Sequence, residues 1–120
     1  MPRPIHFEVP ADDPDRAAKF YSDVFGWKIS KWDGPQEYWL ISAGEGPGID
    51  GGLLRRMHPS AGTVNTLGVD SLDDSVKTVE ASGGKVVLPK MAVPGIGYLA
   101  YCQDPEGNTF GMMQPDPAAA

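Results

Sequence analysis

Two side chains that can exchange protons or hold a metal ion stand close together near the start of the chain. His6 and Glu8 alternate with Ile5, Phe7 and Val9, and this period of two predicts a β-strand. The strand would turn its three apolar side chains towards a core and place His6 and Glu8 on the opposite face, about 7 Å apart. An imidazole and a carboxylate at this spacing can bind a ligand, transfer protons or contribute to a metal site.

An amphipathic helix is predicted directly after this strand. Asp13 is a suitable N-cap, Pro14 suits the first helical position, and Gly26 ends the helix. Apolar residues recur between them with the period of one helical face, at Ala17, Phe20, Tyr21, Val24 and Phe25. One module alone would expose an apolar sheet face and a helix, so two such modules packed together are expected to form the minimal stable unit.

The order of elements occurs twice along the chain. Turn residues separate three strand-like runs at 27–32, 37–42 and 49–56, and a second series follows with a strand at 63–69, a helix between Ser71 and Gly83, and strands at 85–88, 98–103 and 109–114. The sequence thus predicts two β-α-β-β-β modules, at about 4–57 and 62–114, followed by a flexible tail at 115–120. Residues 89–97 are predicted to form a loop, and its apolar part from Met91 to Gly97 is a candidate lid.

The composition excludes several classes of partner. The chain has 120 residues, 15 Gly, 12 Pro, a single Cys and a formal charge of −6, with Arg55-Arg56 as its adjacent basic pair. This acidic balance predicts no nucleic-acid partner. No apolar run approaches the roughly 18 residues of a membrane span, so no membrane partner is expected. Cys102 has no partner for an intrachain disulfide, which fits a cytoplasmic protein.

Segments from both halves resemble one superfamily. The run from His6 to Pro14, with Phe20-Tyr21 and Phe25-Gly26-Trp27, is similar to the opening module of the vicinal oxygen chelate superfamily, and Asp104-Pro105-Glu106-Gly107-Asn108 is similar to its closing hairpin. The superfamily includes glyoxalase I, bleomycin-resistance proteins, extradiol dioxygenases and fosfomycin-resistance enzymes. The resemblance implies an α+β fold, a single domain over 1–114 in which two tandem βαβββ modules form a cup-shaped mixed sheet.

The same resemblance implies four positions for the ligands of a divalent ion. They fall at His6, at Gly51 or Gly52, at Val64 and at Gly111. Glycine and valine have no coordinating side-chain atom, so His6 is the one ligand left and the usual metal site is expected to be absent. A divalent metal is disfavoured, although a site rebuilt from His6, Glu8 and water stays open.

Five residues are candidates for ligand contacts in the cup: His6, Glu8, Tyr38, Tyr101 and Met113. The competing interpretation makes the first two an inert polar pair and the others core residues. The preferred function is binding of a small organic molecule, in the manner of bleomycin-resistance proteins and without the four-ligand metal. A metal-dependent lyase, isomerase or dioxygenase with a remodelled site, and a module with a vestigial cup, are the alternatives. No catalytic residue is assigned, whether any reaction is catalysed stays open, and the resemblance implies a homodimer.

Overall fold

The structure, a computed structural model, describes residues 1–59 and 61–120. Its helices are α1 (Pro14–Phe25) and α2 (Leu72–Ala81). Its strands are β1 (Pro4–Ala11), β2 (Lys28–Lys31), β3 (Trp39–Ser42), β4 (Gly51–Arg55), β5 (Val64–Gly68), β6 (Lys85–Val93), β7 (Gly97–Gln103) and β8 (Thr109–Pro115). The predicted α+β class and the β-α-β-β-β order, present twice, are both confirmed.

Two compact units divide the chain. The first, which we call the N-terminal unit, contains 6–64, and the C-terminal unit contains 65–120 together with 1–5. The first five residues belong with the later module because the carbonyl oxygen of Arg3 accepts a 3.0 Å hydrogen bond from the amide of Gly68.

In the N-terminal unit the strand order is β2-β3-β4-β1. β1 runs parallel to β4, which pairs Phe7 with Gly51 and Glu8 with Gly52, while β3 is antiparallel to both β2 and β4. Helix α1 begins where the sequence predicts, since the Asp13 carboxylate accepts the amide of Arg16 and Gly26 ends the helix in the left-handed conformation. The core contains Ala11, Trp39, Ile41 and Leu53, with Phe7, Val9, Ala17, Ala18, Trp27 and Ile29 packed around it.

In the C-terminal unit the strand order is β5-β8-β7-β6. β5 runs parallel to β8 and the remaining pairs are antiparallel. Its core contains Val69, Leu72, Ala100, Cys102 and Met112, so α2 covers one face of this sheet through Leu72, Val76 and Val79. Both units thus use one apolar sheet face against one helix.

Two segments differ from the sequence prediction. The segment 89–93, expected to be part of a loop and lid, instead continues β6 and pairs with β7. Two shifts in the pairing register allow this edge strand to include Pro89 and still hydrogen-bond to β7 on both sides of it. The lid is therefore reduced to a tight turn around Gly95. The tail expected to fray instead folds back, because the carbonyl oxygen of Ala119 accepts the amide of Gly95 and the amide of Asp116 donates to Ile96.

No helix within the described part of the chain is both long enough and apolar enough to cross a membrane.

Candidate functional site

Strand β1 separates an apolar face from a polar one, as the alternation predicts. Phe7 and Val9 pack against the core beneath α1, and His6 and Glu8 lie on the opposite face of the strand. Ile5 is the exception: it is exposed, so the prediction that it faces a core is wrong. Glu8 is 8% exposed although it carries an ionisable carboxyl group, which makes it one of two buried polar side chains among the described residues.

The phenol of Tyr38, which lies in the connection between β2 and β3, contacts His6. Its hydroxyl and the Nε2 atom of His6 are 2.7 Å apart, and the two rings stack with centroids 6.4 Å apart and planes 18° from parallel. The backbone holds Tyr38 in place, because its carbonyl oxygen accepts a 2.8 Å hydrogen bond from the amide of Trp32. The Trp32 indole also meets the phenol ring edge-on at 6.2 Å.

Gly52 provides the space that the Tyr38 phenol occupies. It is the partner of Glu8 across β1 and β4, so a side chain at either position would point to the same face. A Cβ atom at Gly52 would overlap the Tyr38 hydroxyl and ring. A Cβ atom at Gly51 would instead meet the carbonyl oxygen and ring of Phe7, at 2.6–2.7 Å. Of the two glycines to which the resemblance assigns a ligand position, Gly52 is the one on the face of His6.

The protonation of His6 depends on burial and on two acids. Desolvation lowers the pKa of His6 below its usual value, and the negative charges of Glu8 and Asp50 oppose part of that effect. Asp50 stands just before β4, where its Oδ1 accepts the amide of Ala43 at 2.9 Å. At neutral pH the imidazole is therefore uncharged, with one nitrogen facing the Tyr38 hydroxyl. We call His6, Glu8 and Tyr38 the first-strand site.

The donors present do not fit the divalent ion that the superfamily implies. At position 52 the Tyr38 phenol occupies the space that a ligand side chain would need. Gly111 has no side chain, and Val64, at the start of β5, has an apolar one. Within 1–59 and 61–120, no group of three or more His, Cys, Asp and Glu side chains is placed to hold a metal ion. A hard or borderline divalent ion needs several such donors in one place.

Tyr101 and Met113 belong to the C-terminal unit, on the sheet face away from α2. Tyr101 pairs with Gly111 across β7 and β8, and Met113 pairs with Leu99. A Cβ atom at Gly111 would lie 2.7 Å from Oγ1 of Thr66 and 3.4 Å from the Tyr101 ring. Each unit therefore has a glycine at a ligand position of the superfamily with a tyrosine ring beside it. Sequence reasoning identified the tyrosines and the glycines separately, but not that they pack together.

Two further residues with reactive side chains, Cys102 and His58, lie outside the first-strand site. Cys102 is buried in the core of the C-terminal unit, where burial raises its thiol pKa and keeps it protonated. His58 lines a shallow groove of about 550 Å³ with Asp12 and Arg56. The Arg56 guanidinium in that groove already donates to Asp12 and to the carbonyl of Ala61, which leaves it little capacity for an anion.

Comparison with known proteins agrees with the superfamily resemblance seen in the sequence. Residues 3–44 match the bleomycin resistance protein-like N-terminal family. A glyoxylase-like domain-containing protein of Didymella fabae is 33% identical over 112 residues, which cover 88% of each chain. A lactoylglutathione lyase of Arabidopsis thaliana is 30% identical over 125 residues, covering 94% of this chain and 44% of that protein. This chain thus spans less than half the length of that relative.

A solved structure supports the fold over the whole length. The hypothetical protein BH1468 of Bacillus halodurans superposes with a TM-score of 0.75 at 14% identity, covering 100% of this chain and 99% of that one. The sequence relatives and the fold together define a glyoxalase-like α+β protein. The chain belongs to the glyoxalase/bleomycin-resistance/dioxygenase superfamily, which is the vicinal oxygen chelate superfamily.

Proposed function

We propose that this protein binds a small organic molecule at the first-strand site without the four-ligand metal centre of its superfamily. The observation that carries the proposal is the 2.7 Å contact of His6 with the Tyr38 hydroxyl in the space left by Gly52. The position that would hold a metal ligand is filled by a group that donates and accepts hydrogen bonds. This arrangement supports direct contact between these side chains and a ligand, with no metal ion between them.

The chemistry of the three side chains defines the class of ligand. A neutral imidazole and a phenol can each donate or accept one hydrogen bond, and Glu8 adds a carboxylate next to them. The Trp32 and Tyr38 rings supply an aromatic surface. Glu8 and Asp50, in a chain of net charge −6, favour a ligand with a positive charge. We therefore assign the site to an aromatic molecule that carries an amine or other cationic group.

Binding of defined probes tests this assignment. Isothermal titration with metal-free bleomycin, tryptamine and S-lactoylglutathione compares two cationic aromatic molecules with an acidic one. We expect saturable binding of a cationic aromatic probe and none of S-lactoylglutathione. Tyr38→Phe removes one hydroxyl and should weaken binding about 10- to 150-fold, because a hydrogen bond to a charged group contributes about 1.5–3 kcal/mol.

A matched control distinguishes the loss of a contact in the first-strand site from a general effect of removing a tyrosine hydroxyl. Tyr98→Phe removes a hydroxyl from a half-buried tyrosine of β7, in the other unit, and should leave the dissociation constant unchanged. Failure of both cationic probes to bind, or equal weakening by the two tyrosine variants, would overturn the assignment.

A metal-dependent lyase, isomerase or dioxygenase that uses His6 and Glu8 is the second candidate. It is favoured by one observation, that the Glu8 charge acts on the His6 imidazole from the same strand face. Turnover of the hemithioacetal of methylglyoxal and glutathione after addition of Ni²⁺ or Zn²⁺, lost in both His6→Ala and Glu8→Gln, would establish a lyase of this kind. We expect no turnover.

A further inference from the structure

The face of the N-terminal sheet that turns away from α1 carries its side chains in rows across the strands. Residues paired between neighbouring strands point to the same face. Glu8 pairs with Gly52 and Gly52 with Leu40, so these three share that face. Leu40 is 44% exposed, so the face is open there. Together with Ser30, the partner of Leu40 in β2, they form what we call the middle row.

An aromatic row lies next to the middle row, about 7 Å away along the strands. The pairing of β2 with β3 continues one position beyond β2, because the Trp32 amide donates to the Tyr38 carbonyl oxygen at 2.8 Å. The two rings meet edge-on, and the indole also covers Gly34, where a Cβ atom would overlap it. Leu54 and Pro10, which pair across β4 and β1, complete the aromatic row.

A charged row lies on the other side of the middle row. Extended by one position before Gly51, the register of β1 and β4 places His6 beside Asp50. The electrostatics agree with this placement, since the negative charge of Asp50 acts on the His6 imidazole. Ser42 and Lys28, which pair across β3 and β2, continue the row. The open face therefore changes from aromatic to charged over about 13 Å, the length of four residues of a strand.

Asp50 presents its carboxylate to solvent in a fixed orientation. Its Oδ1 accepts the Ala43 amide at 2.9 Å, which closes the loop between β3 and β4. Asp50 is exposed, whereas Glu8 is only 8% exposed. Within 1–59 and 61–120 none of the ion pairs includes Asp50, and Lys28 is two strands away, about 10 Å. A cationic group of a ligand therefore reaches Asp50 more readily than Glu8.

We propose that Asp50 is the specificity-determining residue of the first-strand site, where it receives the cationic group of the ligand while the aromatic group lies on Leu40 and the Tyr38 ring. The inference rests on the proposed function and adds an orientation to it: the bound molecule lies along the strands, with its charge at the charged row and its rings towards the aromatic row. The separation of neighbouring rows favours a cation about 7 Å from an aromatic ring. Aromatic amines with a short alkyl spacer meet this requirement.

A comparison of two nearly isosteric probes tests the charge contact. Tryptamine carries an ammonium group where tryptophol carries a neutral hydroxyl, so their dissociation constants, measured by isothermal titration in about 50 mM salt, differ through that group. We expect the wild type to prefer tryptamine about three- to tenfold, the range for an exposed ion pair with a charge-assisted hydrogen bond. Asp50→Asn should reduce this preference to less than about twofold and leave the affinity for tryptophol unchanged.

Asp50→Asn separates the charge from the structure of the loop, because the asparagine oxygen can still accept the Ala43 amide. Intact mass spectrometry verifies that the new amide, next to Gly51, has not hydrolysed back to a carboxylate. Glu45→Gln is the matched control, since it removes the same charge from an exposed position of the same loop. This control should keep the tryptamine preference of the wild type.

The orientation of the ligand is tested by a second pair of variants. Leu40→Thr removes apolar surface from the middle row and should weaken the binding of both probes alike, by about fivefold. Val24→Thr alters an apolar residue that is 54% exposed on α1, on the other side of the same sheet, and should leave both dissociation constants unchanged. Circular dichroism and urea unfolding verify that each variant is folded.

The outcomes distinguish this inference from the proposed function. An unchanged tryptamine preference in Asp50→Asn, an equal loss of affinity for both probes in that variant, or no effect of Leu40→Thr would overturn the inference. If the wild type binds metal-free bleomycin but shows no preference for tryptamine over tryptophol, the inference alone fails. If the wild type binds none of the three molecules, the proposed function fails with it.

Discussion

Replacing Gly52 with alanine tests the packing on which the first-strand site depends. A single methyl group at this position overlaps the Tyr38 hydroxyl and ring, so the phenol must leave its place. Its departure breaks the 2.7 Å contact with His6, which costs about 1 kcal/mol, and forcing a side chain into filled space costs about 1–3 kcal/mol more. Together these effects lower the free energy of unfolding by about 2–4 kcal/mol.

A double-mutant cycle in urea assigns that loss to Tyr38. In a Tyr38→Ala background the space is empty, so the added methyl group should cost little and the two substitutions should couple by more than about 1 kcal/mol. Gly62→Ala, where a Cβ atom meets nothing within 4 Å, is the control for the change of backbone freedom and should be neutral or slightly stabilising. A Gly52→Ala penalty below about 0.5 kcal/mol, or one that is undiminished without the phenol, refutes the reasoning.

Two further predictions concern pH and helix capping. The pKa of His6 is lower in the folded chain than in the unfolded one, so the unfolded state binds more protons as the pH falls through about 6.5 and stability declines there. In urea unfolding, His6→Gln should make the free energy of unfolding depend less on pH between pH 7.5 and 5.5. His58→Gln should keep the pH dependence of the wild type. Asp13→Ala removes the acceptor for the Arg16 amide at the start of α1 and should cost about 1 kcal/mol in the same assay, while Asp15→Ala, next along the helix, should cost less. An equal loss in both variants would mean that charge, and not the cap, is responsible.

Most of the fold is encoded in local patterns that can be recognised without coordinates. Strand alternation, the caps Asp13 and Ser71, and glycines such as Gly26 and Gly83 act over a few residues, so they predict elements and their order. Strand β6 shows the limit of that approach. Pro89 interrupts the local pattern, and only the pairing partner in β7, with its register shifts, reveals that the strand continues to Val93.

The residues of the candidate site could be predicted from the sequence, but the contacts between them could not. His6 and Glu8 share a strand face because alternation requires it. The contact of His6 with Tyr38 joins residues 32 positions apart in the chain. It is possible only because Gly52 has no side chain to fill the space of the phenol. A glycine in a strand indicates that something approaches closely. The sequence does not say what that neighbour is.

The metal content of the purified protein tests the central claim most directly. Tag-free protein from cells grown with added Fe, Mn, Ni and Zn would be analysed by inductively coupled plasma mass spectrometry, alongside His6→Ala prepared in the same way. Because glycine stands at positions 52 and 111, two of the positions where the resemblance places metal ligands, the protein should contain substoichiometric metal, equal in the wild type and the variant. Near one equivalent of a single divalent metal per chain, lost in His6→Ala, would contradict the account.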